Sequence, residues 1–306
     1  MPAVQILLAT YNGMRFLPEQ LASLAAQSWP DIDLLVSDDG STDGTWDYLA
    51  QYCAQWSRGR ATLINGPGAG SAAANFRHLI VNADPGSAYV AYADQDDIWL
   101  PGKLSRAIAA LDAAGPGPAI HCSRTTLIDA DGNEIGHAPA FRRRPDFRNA
   151  LVQSLAGGNT MVLNAAAFAA IRSSAARTSF LEHDWWSYII VSGAGGRMLY
   201  TEAPDTLYRQ HESNQIGSNL GWRARWVRFA KLRRGRFRDW SAANIAGLDA
   251  CRDLLTPEAL DVLDKFASAR HGNPPTRLLR LIESGVYRQT LPSQMMLYVA
   301  AVMGWV

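Results

Sequence analysis

Three carboxylates within four residues, Asp94, Asp96 and Asp97 with Gln95 among them, end the apolar run Ala88 to Ala93. Like charges crowded this closely repel unless a cation or hydrogen-bond donors offset them. A helix N-cap before Pro101 would use one acid and leave two unexplained. A hard divalent cation takes oxygen ligands and keeps phosphate oxygens in its shell. A carboxylate pair flanking one residue can therefore hold such an ion against a diphosphate, where the ion offsets the charge on a departing nucleotide. A second acidic pair, Asp38 and Asp39, opens "DDGSTDGT". Capping and turn chemistry account for Ser41, Thr42 and Asp43 but not for both acids. A third polar cluster, Thr10-Tyr11-Asn12, follows the apolar run Val4 to Ala9.

The elements between these clusters explain why they would meet. Apolar runs predict strands over Val4 to Ala9, Ile32 to Ser37, Ala61 to Asn65 and Ala88 to Ala93. Helical spacing predicts helices over Arg15 to Gln27, Thr42 to Trp56, Ala72 to Ala83 and Pro101 to Ala114. Strands alternating with helices imply a mostly parallel sheet flanked by helices. In such a sheet ligands bind outside the carboxyl ends of the strands, where all three polar clusters fall. The second half reads differently. Ala119 to Ile128 predicts a strand and "DADGNE" a turn; "AGGNTMVLN" predicts a loop entering a strand. "EHDWWSYIIVSGAGG" predicts a helix from near Glu182 to its glycines, and "RMLYTEAPDTLYRQH" one or two strands. Beyond Gly221 the pattern is helical.

Composition narrows the class. The chain has 306 residues, is 48% hydrophobic and 19% charged, and carries a net charge of +1. That suits a globular protein with a real core and gives no whole-chain signal for nucleic acid. Cys53, Cys122 and Cys251 are far apart, which fits free thiols in a reducing compartment. No signal peptide is read at the start, and no apolar run reaches the roughly 18 to 20 residues of a spanning helix. A cytoplasmic location follows as an expectation. "GPGAGS" lacks the spacing of a phosphate loop and is read as a loop near a nucleotide base, with Asn75 in contact.

"LLATYNGMRFLPEQLASLAAQS", "LLVSDDGSTDGT" and "YADQDDIWLPGKL" resemble, in order and spacing, the inverting nucleotide-sugar glycosyltransferases of family 2, which have the GT-A fold. The resemblance covers about the first hundred residues. It implies that Thr10, Tyr11, Asn12, Asp38, Asp39, Asn75, Asp94 and Gln95 surround the donor nucleotide sugar. It implies that Asp96 ligates Mg²⁺ or Mn²⁺ and that Asp94 faces the ribose or a water, leaving Asp97 as a helix cap. Inversion needs a base for the acceptor hydroxyl. The resemblance places it in "EHDWW", with Asp184 first and Glu182 second. "HDWW" and "LYRQHESNQIG" resemble a bacterial rhamnosyltransferase branch, which suggests His211 as a metal ligand or a diphosphate contact and Arg209 as a phosphate partner. Trp99, Gly158, Asn159, Glu182 and Trp185 are assigned to the acceptor side.

These expectations give residues 1–220 as a catalytic domain, with 1–115 its nucleotide-binding half and 116–220 its acceptor half. Residues 221–306 form a helical C-terminal extension. Its first stretch, Gly221 to Trp240, is basic and interleaved with Trp222, Trp226, Phe229, Phe237 and Trp240. Such a segment suits an anionic membrane surface. Met295 to Val306 adds a shallow membrane contact or an oligomer interface, and a homodimer stays open. The expected activity is transfer of L-rhamnose from dTDP-L-rhamnose to a glycan or lipid-linked glycan in bacterial surface polysaccharide synthesis, at the inner face of the membrane. A UDP-hexose or UDP-N-acetylhexosamine donor is the alternative. A nucleotidyltransferase would want a Gly/Arg/Lys-rich phosphate loop, for which the N-terminus offers only Arg15. A catalytically inactive glycan- or membrane-binding module is the reading of another class, and no nucleic acid partner is expected.

Overall fold

A strand buried on both faces is apolar throughout rather than alternating. β1 (Val4–Thr10) is buried at every position and lies between β2 (Ile32–Asp38) and β4 (Tyr89–Ala93), parallel to both, with β3 (Ala61–Asn65) beyond β2. The crossovers are α1 (Leu17–Ala25), α2 (Thr45–Gln55) and α3 (Ala72–Asn82). This computed structural model describes residues 2–211 and 236–306.

After β4 come β5 (Ile98–Trp99), α4 (Lys103–Ala113), β6 (Ala119–Ile128), β7 (Glu134–His137) and α5 (Phe147–Ala150). A 3₁₀ turn (Gly158–Thr160) leads into β8 (Val162–Asn164), α6 (Ala165–Arg177), α7 (His183–Gly193) and β9 (Arg197–Arg209). The sheet order is β3-β2-β1-β4-β8-β6-β9-β5, with β7 beside β6. The sheet is parallel through β3, β2, β1 and β4. It turns mixed beyond, because β8 runs against both β4 and β6, and β5 against β9. Apolar runs locate strands but not their directions, which the tertiary connections set.

β5 pairs Ile98 with Leu207 and Trp99 with Thr206. The acidic loop 94–97 therefore joins β4, in the sheet interior, to β9 at its far side. That geometry brings Asp96 beside the end of β9, where Arg209 and His211 lie.

The C-terminal region folds into α8 (Arg236–Asp249), a 3₁₀ turn (Arg252–Leu254), α9 (Pro257–Ser268), α10 (Pro274–Ser284) and α11 (Leu291–Met303). Thr256, Asn273 and Thr290 cap α9, α10 and α11 through their side chains, each with proline in the first turn. Proline is tolerated there because the first helical N–H groups lack partners anyway. Leu248, Phe266, Leu281 and Leu297 from these helices share one apolar cluster with Phe76, Tyr92 and Trp186. A second cluster, containing Leu17, Leu49, Trp99 and Leu104, includes other strand residues such as Ile6 and Val36. The three cysteines are free, as expected. Residues 221–235 of the basic stretch lie outside the described residues.

Candidate active site

The ends of β1 and β2 are locked together by side chains that sequence reasoning assigned to the donor. Thr10 Oγ1 donates to Asp38 Oδ1 (2.9 Å), Ser41 Oγ donates to the same oxygen (2.6 Å), and Ser41 N donates to Asp38 Oδ2 (2.9 Å). Asp38 thus builds the turn rather than facing a ligand. Asn75 is also a correction. It is buried, and its Nδ2 donates to the carbonyls of Ser37 (3.0 Å) and Thr10 (3.3 Å), tying the two strand ends. Asn12, at φ 47°, accepts from Thr42 N through its side chain (2.8 Å). Gln95 clamps the Tyr11 backbone, accepting from its N–H (2.8 Å) and donating to its carbonyl (3.0 Å). A Cβ on Gly13 would sit 2.4 Å from the Gln95 oxygen, so this close approach requires glycine. The Tyr11 ring stays exposed.

Asp39 accepts from Gly68 N (2.7 Å) on one oxygen and Gly70 N (2.9 Å) on the other. Both glycines have positive φ. The "GPGAGS" loop is therefore shaped by its own carboxylate, which holds it beside the ends of β2 and β3.

The two residues suggested as metal ligands meet. His211 Nε2 lies 2.8 Å from Asp96 Oδ2, and the Phe16 ring meets the imidazole tilted at 36° with centroids 4.9 Å apart. Among the described residues no three His, Cys, Asp or Glu side chains are grouped to hold a metal alone. A carboxylate and an imidazole on one locus suit Mg²⁺ or Mn²⁺ only with oxygens from another source, such as a diphosphate and water. Arg209 is a correction. Its side chain is 2% exposed, bonded to Glu19 Oε2 (2.5 Å), Asp96 O (3.0 Å) and Ala130 O (3.1 Å), and lies over the Phe16 ring. It braces the acidic loop from behind.

Asp97 does not cap a helix, since α4 opens at Lys103 with no side-chain cap. Fully buried, it accepts from Asn159 Nδ2 (2.5 Å) and from Arg209 N (3.1 Å). Burial and the Asp96 charge hold its carboxyl well above the usual range. Asn159 is accordingly a bridge from the 3₁₀ turn to the acidic loop, not an acceptor contact.

Asp184 stands in the first turn of α7, where acids are favoured by the helix dipole. Trp185 N donates to its Oδ1 (2.5 Å), and the nearby Gly158 backbone favours the ionised carboxylate. Burial, with the Glu182 charge second, raises its carboxyl to about 7. Burial also raises Glu182. Asp94 is raised well above the ordinary value by burial first, then by Asp97, Asp96, Asp184 and Glu182. One locus therefore gathers the acidic loop and both candidate bases, a surplus of negative charge that calls for a cation and a proton.

Trp99 and Trp185 are not acceptor contacts. Trp99 is buried in the core, and Trp185 Nε1 donates to Ala150 O (2.7 Å) beneath α5. Reasoning from sequence missed two supports. His183 is buried, stacked on Phe76 at 3.7 Å and edge-on to Tyr92; burial lowers it to about 3, so it is neutral. Lys103 is fully buried, 3.3 Å from Asp205 Oδ1 and 3.1 Å from Thr206 Oγ1, over the Trp99 ring. "LPGKL" offered only a lysine in a helical pattern as a signal for it.

The glycosyl transferase family 2 model matches residues 5–180, more than half of the chain. The chain is 29% identical over 241 residues to the dTDP-rhamnosyl transferase RfbG of Shigella flexneri, spanning 76% of this chain and 81% of that one. It is 34% identical over 111 residues to the putative glycosyltransferase EpsE of Bacillus subtilis, covering 36% of this chain and 39% of EpsE. Its fold resembles S. aureus TarS 1–349 in complex with UDP-GlcNAc, at TM-score 0.58 and 15% identity, covering 99% of this chain and 89% of that one. A mannosyltransferase of Pyrobaculum calidifontis in complex with GDP-Man and Mn²⁺ gives 0.50 and 19%, covering 100% and 81%. The fold is GT-A, and the chain belongs to glycosyltransferase family 2.

Proposed function

We propose that this enzyme transfers L-rhamnose from dTDP-L-rhamnose, with inversion, to a glycan or lipid-linked glycan of a bacterial surface polysaccharide. The similarity to RfbG along most of both chains supports the sugar. The gathering of Asp94, Asp96, Glu182 and Asp184 at one locus carries the chemistry. Residues 1–115 serve the donor and 116–220 the acceptor. Tyr11 and Asp39 border the nucleoside at the ends of β1 and β2. Asp96 and His211 would hold Mg²⁺ or Mn²⁺, which would offset the charge of the departing diphosphate. Asp184 takes the proton of the acceptor hydroxyl as that oxygen attacks the sugar carbon. Trp185 N fixes its carboxylate in place, the Gly158 backbone favours its ionised form, and Glu182 keeps its basicity high. The basic stretch 221–240 contacts the inner face of the cytoplasmic membrane in this reading.

A UDP-sugar is the second reading. A relative 31% identical over 108 residues, WfaP of Escherichia coli, is named a UDP-Glc glucosyltransferase, and it matches 35% of this chain. Calorimetric titration of dTDP, UDP and GDP, each with Mn²⁺ and with EDTA, separates the two. Tight dTDP binding that EDTA abolishes supports rhamnose. Preference for UDP keeps the transferase and changes the sugar. No binding of any of the three overturns the donor site.

A further inference from the structure

Among the described residues, nothing covers an apolar face of the last two helices. On α11, Leu291, Met295, Val299 and Met303 recur every fourth residue, which aligns them on one side. Leu291 is 76% exposed and the other three are about half exposed. Leu297, Ala300 and Ala301, on the opposite side, are buried in the core. No charged residue interrupts α11. Leu279 and Ile282 of α10, which packs against α11, are also more than half exposed and widen the face. Glu283 is the one acid on these two helices. Single exposed apolar residues are ordinary, whereas a contiguous set marks a contact surface.

Arginines stand at both ends of this stripe. The exposed run Arg142-Arg143-Arg144 is tied to the turn that precedes α11. The Arg143 guanidinium lies 3.8 Å from the Tyr287 ring centroid, Arg143 N donates to Gln289 Oε1 (2.9 Å), and the Tyr287 hydroxyl donates to Arg144 O. Arg288, in the same turn, instead lies over the Phe237 ring of α8. At the other end Arg277 donates to Val302 O (3.3 Å). An apolar stripe flanked by cations matches a bilayer surface, where the side chains enter the acyl boundary and the arginines meet anionic headgroups. A second copy docked on the same face would set arginines against arginines, which opposes association. No helix among the described residues is long and apolar enough to cross a membrane, so the contact is with the surface.

We infer that the α10–α11 face, together with Arg142, Arg143 and Arg144, docks this protein on an anionic lipid surface. The inference serves the proposed lipid-linked acceptor but stands on this geometry, apart from the basic stretch 221–240. Co-sedimentation of the full chain with phosphatidylcholine vesicles, with and without phosphatidylglycerol, tests it. The wild type binds the anionic vesicles, less so as salt rises. The double variant Met295→Asp/Val299→Asp loses about tenfold or more of that binding. Arg142→Glu/Arg144→Glu loses the preference for phosphatidylglycerol. Leu291→Asp, at the most exposed position, repeats the first loss, and unchanged melting curves show that the variants fold.

All variants keep residues 212–235. Full vesicle binding by Met295→Asp/Val299→Asp would therefore assign the membrane to that segment and overturn the inference. So would a wild type that binds neither vesicle. A wild-type dimer seen by light scattering and broken by the same substitutions would give the face to a second copy instead. Binding of dTDP in solution, unchanged in these variants, keeps failure here separate from failure of the donor site.

Discussion

His211 Nε2 lies 2.8 Å from Asp96 Oδ2, joining the second residue after β9 to the loop after β4. The pairing follows from the sheet: β5 binds β9 two residues beyond Asp96, so the end of β9 must pass the acidic loop. Arg209, on the same strand, holds the Asp96 carbonyl and so fixes the loop backbone. Asp96→Ala and His211→Ala are each expected to weaken Mn²⁺-dependent dTDP binding by about tenfold to a hundredfold. Calorimetry in Mn²⁺ and in EDTA checks this. Binding that ignores both substitutions would exclude these two residues as metal ligands.

With Asp184 as the proposed base, activity is expected to follow its ionisation. Its carboxyl is raised to about 7 by burial and Glu182, and it accepts a proton only when ionised. Below that pH kcat/KM is expected to fall about tenfold per unit. Asp184→Asn flattens that limb and lowers kcat by about a hundredfold or more. Stability has the opposite sense. A raised folded-state pKa favours the fold while the group is protonated, and this advantage is lost as pH rises from the ordinary 3.8 through about 7. Asp184→Asn therefore raises Tm more at pH 8 than at pH 5. A larger gain at pH 5 would contradict the assignment.

Gly158 lets His183 and Asp184 sit where they do. A Cβ at Gly158 would fall 2.0 Å from His183 Nε2, and the Gly158 backbone favours the ionised Asp184 carboxylate. Gly158→Ala must displace the turn or α7. A loss of about tenfold or more in kcat, with dTDP affinity held within about twofold, is expected because the disturbed group acts on the acceptor. Steady-state kinetics beside calorimetry separate the two effects.

Lys103 and Asp205 are both fully inaccessible to solvent and 3.3 Å apart. Ser123 Oγ also donates to Asp205 (2.5 Å). Removing one charge strands the other, so Lys103→Met is expected to cost about 3–5 kcal/mol in urea unfolding. Lys103→Met/Asp205→Asn should cost less than the first substitution alone. A more costly double variant would contradict this account of the pair.

Much of this was legible in the sequence where the signal is local. Ala61–Asn65 and Ala119–Ile128 are strands with the expected bounds, because apolar runs between turn residues are read along the chain. Asp39, Asp96 and Asp184 fall at strand and helix ends, where the topology gathers ligands. Misreadings arise where a side chain's partner is remote. Arg209 looked like a phosphate ligand because its partner Glu19 is 190 residues away. Asp97 looked like a cap because its donor Asn159 is 62 residues away. Trp99 and Trp185 are assigned to the acceptor side from sequence, yet the core takes both. β8, three residues long and antiparallel to its neighbours, has too little periodicity to announce a direction.

The most direct test of the central claim follows labelled sugar from dTDP-L-rhamnose into a bacterial lipid-linked glycan fraction in Mn²⁺. Wild type, Asp96→Ala and Asp184→Asn are compared, each verified as folded. The account predicts transfer by the wild type that EDTA stops, and at least about a hundredfold loss in both variants. Transfer at the wild-type rate by either variant would contradict it.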